Sequence, residues 1–258
     1  MNTASPSPAA DPARTTPPLT LCELTDPGTP GWESHSPFCL KVHRALGVAA
    51  LRYTRRHAER PDQHRGVNAT GQVPVLLVGD EAVADSTAIL HRINALSGDA
   101  LLRGLDAKGR AAAWCWEELA DTSLNGFVVA SRWADSRNWE AVRQAYFGSA
   151  PAPVRAVLGA VLRRRVIAGL VARDVWRRGP EACWSRFERL VDALEAQAPT
   201  QGFWLGEHPG VADVSLFGQL HALRSPLSPW QRETLAARPR LWAWLDRVAL
   251  ASRPAEDR

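Results

Sequence analysis

The chain carries two hydrophobic rhythms. Over residues 19–96 short apolar runs bounded by turn formers alternate with helical periodicity, and beyond residue 101 only the helical rhythm is left. Leu19 to Leu24 (LTLCEL) reads as a strand, and the TDPGTPGWESH that follows reads as a long loop. From Pro37 onward, Phe38, Val42, Ala45 and Leu46 share one helix face, with Ser36 as N-cap, Pro37 in the first turn and Gly47 as the expected stop. LRYTR at 51–55 predicts a second strand, and the polar stretch after it has room for a short irregular helix. VPVLLV at 73–78 predicts a buried strand, turned at Gly79-Asp80 into a short return strand over 81–84. Because proline cannot donate to a ladder, Pro74 belongs at the first residue or the edge of its strand. Asp85-Ser86 then opens a helix whose apolar face is Ile89, Leu90 and Ile93. This order is that of an α/β unit with one mixed four-stranded sheet.

Helical periodicity then fills 107–133, 137–147, 154–177, 181–197, 211–224 and 239–250, with breaks at Pro151, Pro153, Gly179-Pro180, Pro199 to Gly202 and Pro209-Gly210. The expected organisation is a disordered tail over 1–18, an α/β domain over 19–97, a linker over 98–108, an all-helical domain over 109–250 and a flexible tail over 251–258. The N-terminal stretch, rich in Pro, Ala, Ser and Thr, has too few apolar residues to offset the entropy of ordering it.

Composition narrows the function classes. At 258 residues, 45% hydrophobic and 22% charged, the chain is that of a globular protein with a full core. A net charge of +4 is too small and too dispersed for a protein built to neutralise many phosphates, so no nucleic-acid partner is expected. No segment has the length and apolarity of a signal peptide or a membrane span. Cys22, Cys39, Cys115 and Cys183 are widely spaced, without the spacing of a zinc site or a disulfide framework, so no metal is expected and a reducing cytoplasm fits them.

Three motifs then resemble the glutathione S-transferase superfamily. Ser36-Pro37-Phe38-Cys39, leading to Lys41-Val42, is similar to the serine- and cysteine-type active-site turn; Gly71-Gln72-Val73-Pro74-Val75-Leu76 is similar to the cis-proline turn; and Ala84-Asp85-Ser86-Thr87-Ala88-Ile89 is similar to the segment that binds the γ-glutamyl end of glutathione. Phe203-Trp204-Leu205-Gly206-Glu207, with Gly210-Val211-Ala212-Asp213, resembles the capping motif of that superfamily's helical domain. The resemblance implies a thioredoxin-like domain followed by an all-helical one, a homodimer, and glutathione as co-substrate. Gly31-Trp32 and the segment 163–219 also resemble bacterial relatives of the metaxin and failed-axon-connection branch, whose members often lack an established chemistry. Two positions depart from the pattern. Asp85 stands where Glu is commoner, and Gly210 occupies an N-cap usually held by Ser or Thr, leaving half a capping box with Asp213.

On this resemblance Ser36 and Cys39 are the catalytic candidates, Phe38, Gln72, Val73, Pro74, Asp85 and Ser86 the glutathione contacts, and Trp114, Trp116, Leu119 and Asn125 the wall of a second-substrate pocket. A thiol is nucleophilic as thiolate and has an unperturbed pKa of about 8.5. A helix N-terminus and a Ser36 hydroxyl are two devices that lower it, although capping alone also explains Ser36. With serine at the first place of the turn there is no dithiol, and Cys39 is expected to face inward. Pro74, if cis, exposes the Val73 backbone to an extended peptide, and Asp85-Ser86 offers a helix N-terminus to a carboxylate. The eleven tryptophans serve a bulky co-substrate or simply the core. The basic run of Arg163, Arg164, Arg165, Arg173, Arg177 and Arg178 reads as a solvated helix face. Three functions stay open: a glutathione transferase-like enzyme acting on an apolar or aromatic electrophile, a non-catalytic binding or scaffold protein on the same fold, and single-cysteine redox chemistry at Cys39.

Overall fold

The computed structural model describes residues 17–25, 28 and 32–254, so residues 1–16 of the expected N-terminal tail and 255–258 of the expected C-terminal one lie outside the described residues. The first half is a mixed sheet in the order β2-β1-β3-β4, built from β1 (Leu19–Leu24), β2 (Thr54–Ala58), β3 (Val75–Val78) and β4 (Glu81–Ala84). β1 pairs in parallel with β2 and antiparallel with β3, and β3 and β4 form the expected hairpin. α1 (Pro37–Val48) and α2 (Ser86–Leu96) pack together beside it, closing a core of Leu21, Val42, Leu46, Leu76, Ile89 and Ile93. This is a thioredoxin-like domain.

Several boundaries differ from the sequence pattern, three of them for a packing reason that the structure shows. β2 begins at Thr54 rather than Leu51, because Tyr53 turns into the core and bonds His43 at 2.6 Å while Arg55 reaches Glu23 of β1 at 2.6 Å, which sets the register Leu21↔Arg55. α1 runs past Gly47 to Val48; the missing Cβ of Gly47 makes room for the Ser252 carbonyl rather than ending the helix. Residues 251–254 are accordingly not free: Ala251 closes the last helix and Ser252 is fully buried.

The second half is all-helical. α3 (Ala107–Leu119) continues through a wide π-type turn (Ala120–Leu124), α4 (Asn125–Val129) and a second wide turn (Ala130–Ala134) as one rod. α5 (Trp139–Phe147), α6 (Ala152–Ala172), α7 (Gly179–Gln197), α8 (Val211–Leu223), α9 (Pro229–Ala236) and α10 (Pro239–Ala251) follow. α9 is absent from the periodicity because PWQRETLA is short and half polar; its Gln231 and Thr234 are nevertheless buried. Every residue of α8 is buried, the polar Asp213, Ser215, Gln219 and His221 included, and it packs against α1 and α3 so that the two halves share one pillar. Its start combines the half-capping box with a steric reason for the glycine. Asp213 accepts from Gly210 N–H at 3.0 Å and from Trp204 N–H at 2.8 Å, and a Cβ on Gly210 would lie 2.6 Å from the Leu101 carbonyl.

The arginine run lies on and just beyond α6. Five of its six members are exposed, whereas Arg163 turns inward to the Trp133 carbonyl at 2.8 Å and lies over the Trp139 ring.

Candidate functional site

The edge of the sheet, the start of α1 and the α3–α4 rod enclose a cleft with two chambers that share one wall, Phe38. The first, about 510 Å³, is lined by Gln72, Val73, Pro74, Asp85 and Ser86 from the α/β domain and by Glu118 and Asp121 from the rod. The second, about 360 Å³, is lined by His35, Ser36 and Pro37 and, opposite them, by Asn125, Val128, Val129, Arg132, Trp133 and Tyr146. Both volumes lie in the range of small-molecule sites.

In the first chamber the Val73-Pro74 peptide bond is cis. Pro74 is buried directly before β3 and Val73 faces the chamber, so β3 keeps its ladder intact. Asp85 takes a positive φ of 78° and caps α2, its Oδ1 accepting from Thr87 N–H at 2.9 Å and Ala88 N–H at 3.1 Å. Those two donors are thereby engaged, and Ser86, at 5% exposure, forms part of the chamber wall at the same helix start.

Ser36 lines the second chamber at the N-cap of α1, two residues before the shared Phe38, half-buried, its Oγ accepting from Cys39 N–H at 3.3 Å. The Ser34 hydroxyl in turn accepts from Ser36 N–H at 3.2 Å. A hydroxyl at this place can cap the helix and still donate its own proton to an anion lodged at the helix N-terminus, where the backbone dipole favours negative charge.

Cys39 does not share that setting. It is fully buried, and burial, with the nearby Glu23 charge adding to it, pushes its thiol up to about 12 against the pull of the Ser36 and Ser34 hydroxyls. A thiol that holds its proton so firmly is a poor nucleophile, so the geometry argues against Cys39 as a catalytic group.

The expected second-substrate wall also needs correction. Trp114 stacks on His91 of α2 at 3.9 Å, Trp116 meets Trp204 edge-on at 5.2 Å, and Leu119 packs on the helical core; none of the three lines either chamber. Asn125 alone of the four does. The family resemblance implied the tryptophans as that wall, yet the rod turns them toward its packing faces. The face toward the cleft is Glu118, Asp121, Asn125, Val128 and Arg132, spaced three and four apart, a signal present in the sequence and overlooked because it mixes polar with apolar residues. The two π-type turns carry Asp121 and Arg132, in keeping with the frequent appearance of such turns at functional sites.

Beneath the first chamber lies an ion cluster that the sequence did not disclose. Lys41, fully buried on α1, donates to Glu117 at 2.8 Å and to Asp121 at 2.5 Å, while Thr87 donates to Glu117 at 2.6 Å. Burial pushes the Asp121 carboxyl up to about 6, with Lys41 pulling against that shift and Glu117 adding to it. A second buried cluster supports β1. Burial alone would raise the Glu23 carboxyl, but the hydrogen bonds and charges of His43 and Arg55 hold it below its usual range.

Two family models match the chain: the glutathione S-transferase N-terminal domain over residues 37–138 and the glutathione S-transferase C-terminal domain over residues 161–247. A metaxin-2 homologue of Caenorhabditis elegans is 25% identical over 189 residues, covering 72% of this chain and 79% of that protein. Among solved structures, the β-etherase LigF from Sphingobium sp. strain SYK-6 superposes with a TM-score of 0.60 at 20% identity, covering 89% of this chain and 94% of its own. A glutathione transferase family member from Pseudomonas fluorescens Pf-5, with two glutathione bound, superposes with a TM-score of 0.55 at 16% identity, covering 94% and 95%. At these identities the solved structures speak for the fold alone.

Proposed function

Because this chain belongs to the glutathione S-transferase superfamily, with both of its domains in order, we propose that it binds glutathione in the first chamber and presents the thiol to an apolar or aromatic electrophile in the second. The observation that carries this reading is the position of Ser36: an N-cap hydroxyl in the wall of the aromatic and apolar chamber, two residues before Phe38, the side chain that this chamber shares with the one bearing the cis-proline turn. In it the extended tripeptide pairs with the Val73 backbone, and its γ-glutamyl carboxylate meets Ser86. Its thiol lies at the start of α1, where Ser36 donates to the developing thiolate. One pKa unit corresponds to about 1.4 kcal/mol, within what a single charge-assisted hydrogen bond supplies. The thiolate then attacks the electrophile, in a conjugation, a thiol-assisted isomerisation or a cleavage. The division into a glutathione-binding unit over 19–97 and a substrate-binding unit over 109–250, a homodimeric assembly and a cytoplasmic location belong to the same proposal; among the described residues no helix is long and apolar enough to cross a membrane.

A second reading, a non-catalytic binding or scaffold protein, draws on the metaxin-2 homologue and on the capping bond that already occupies Ser36. Retention on immobilised glutathione, followed by turnover of 1-chloro-2,4-dinitrobenzene by the wild type and Ser36→Ala, separates the two. The enzyme reading expects retention and a rate that falls by about 100-fold in the variant, the scale of losing one transition-state donor. Retention without any Ser36-dependent rate supports the binding protein.

A further inference from the structure

The second chamber holds a buried cation without a counter-ion. Arg132 is 4% exposed; its Nη1 donates to the His35 carbonyl at 2.6 Å and the Tyr146 hydroxyl at 3.1 Å, and its Nη2 reaches the Ala222 carbonyl at 3.4 Å. All three acceptors are neutral, and Nε is buried without a hydrogen-bond partner. The other deeply buried cations are treated differently: Lys41 is paired with Glu117 and Asp121, and Arg44 with Glu33. No carboxylate among the described residues does the same for Arg132. Glu59, the acid in the chamber lining, is solvent-exposed and forms no ion pair with it.

Burying a charge is costly unless an opposite charge meets it, and neutral carbonyls compensate only in part. A guanidinium also presents its donors as a planar fork that matches a carboxylate. Around this fork the walls are apolar or aromatic, with Val128, Val129, Trp133 and Phe38, and the Tyr146 hydroxyl, which accepts from Arg132, keeps its own proton to give. We propose that the second chamber takes a ring-bearing organic acid, its carboxylate completing the Arg132 and Tyr146 donor set and its ring lying against Trp133. This rests on the reading of that chamber as the second-substrate site and adds the chemical class of its ligand.

The test is calorimetric titration of the full chain, without glutathione, with 1-naphthoate and with neutral 1-naphthamide, which share a ring system and differ in charge. The expected result is binding of the acid at least tenfold tighter than the amide, about 1.4 kcal/mol. Arg132→Gln abolishes the preference, Arg132→Lys keeps part of it, and Tyr146→Phe weakens the acid several-fold. Because Arg132 also ties His35 to Ala222, circular dichroism checks each variant's fold, and Tyr146→Phe carries the test if Arg132→Gln does not fold. Equal affinity for acid and amide, binding of neither, or displacement of naphthoate by glutathione overturns the proposal. Glutathione retention is measured separately, so failure of the glutathione reading leaves a preference for the acid visible.

Discussion

Lys41 and Glu117 form a salt bridge of 2.8 Å across the boundary between the α/β and helical halves, with neither side chain more than 3% exposed. Together with Asp121 the pair ties the helix that carries Ser36 to the rod that forms the opposite wall of the cleft. The arrangement makes the two halves interdependent, and several outcomes follow from that.

Lys41→Met leaves two buried acids facing each other without their cation, so it should destabilise the protein by about 3–5 kcal/mol. Adding Glu117→Gln and Asp121→Asn removes the orphaned charges and should recover most of that loss. Urea midpoints of the single and triple variants check this, and equal losses in both would speak against the ion cluster.

The same cluster predicts a pH dependence. A carboxyl raised to about 6 in the fold holds its proton more tightly than the unfolded chain, where it titrates at about 3.9. Its contribution to stability is therefore complete below about 3.9 and is lost as pH rises through about 6. Asp121→Asn removes this contribution, so the variant's urea midpoint should fall less than that of the wild type between pH 4.5 and 7. Parallel profiles for the two proteins would contradict the assignment.

Gly218 on α8 lies against the start of α1, where an added Cβ would sit 2.6 Å from the Pro37 carbonyl and 3.2 Å from the Lys41 backbone nitrogen. Gly218→Ala should cost about 1–3 kcal/mol by overpacking. Since the displaced atoms belong to the turn that holds Ser36, retention on immobilised glutathione should weaken as well. A lowered melting temperature with unchanged retention would uncouple this contact from the site.

Cys115 is exposed whereas Cys22, Cys39 and Cys183 are buried, and burial pushes the Cys39 and Cys183 thiols up to about 12. Iodoacetamide at pH 8 should modify Cys115 alone in the native protein and the others only after unfolding, as peptide mass mapping would read. Rapid labelling of Cys39 in the native state would return the single-cysteine redox function to consideration.

What the sequence determined by itself is local: turn formers, caps and hydrophobic periods are properties of neighbouring residues. That is why β1, the β3–β4 hairpin and the Ser36 and Asp85 caps could be expected from the chain alone, whereas the cis bond before Pro74 was implied by the family resemblance. β2 was misplaced by three residues at its start because an edge strand with polar side chains takes its register from the Arg55–Glu23 contact with β1, not from its own pattern. The tertiary structure alone decided which face of the α3–α4 rod meets the cleft. Helical spacing groups residues into faces but does not say which face a partner will cover, so Trp114 and Trp116 went to packing while Asp121, Asn125 and Arg132 went to the cleft. It also decided that Lys41, an ordinary helix lysine in the sequence, is sealed between two acids some eighty residues away, and that Arg132 is buried with none. Such pairings arise only when distant segments exclude water together, and here they mark where the chemistry of the site is set.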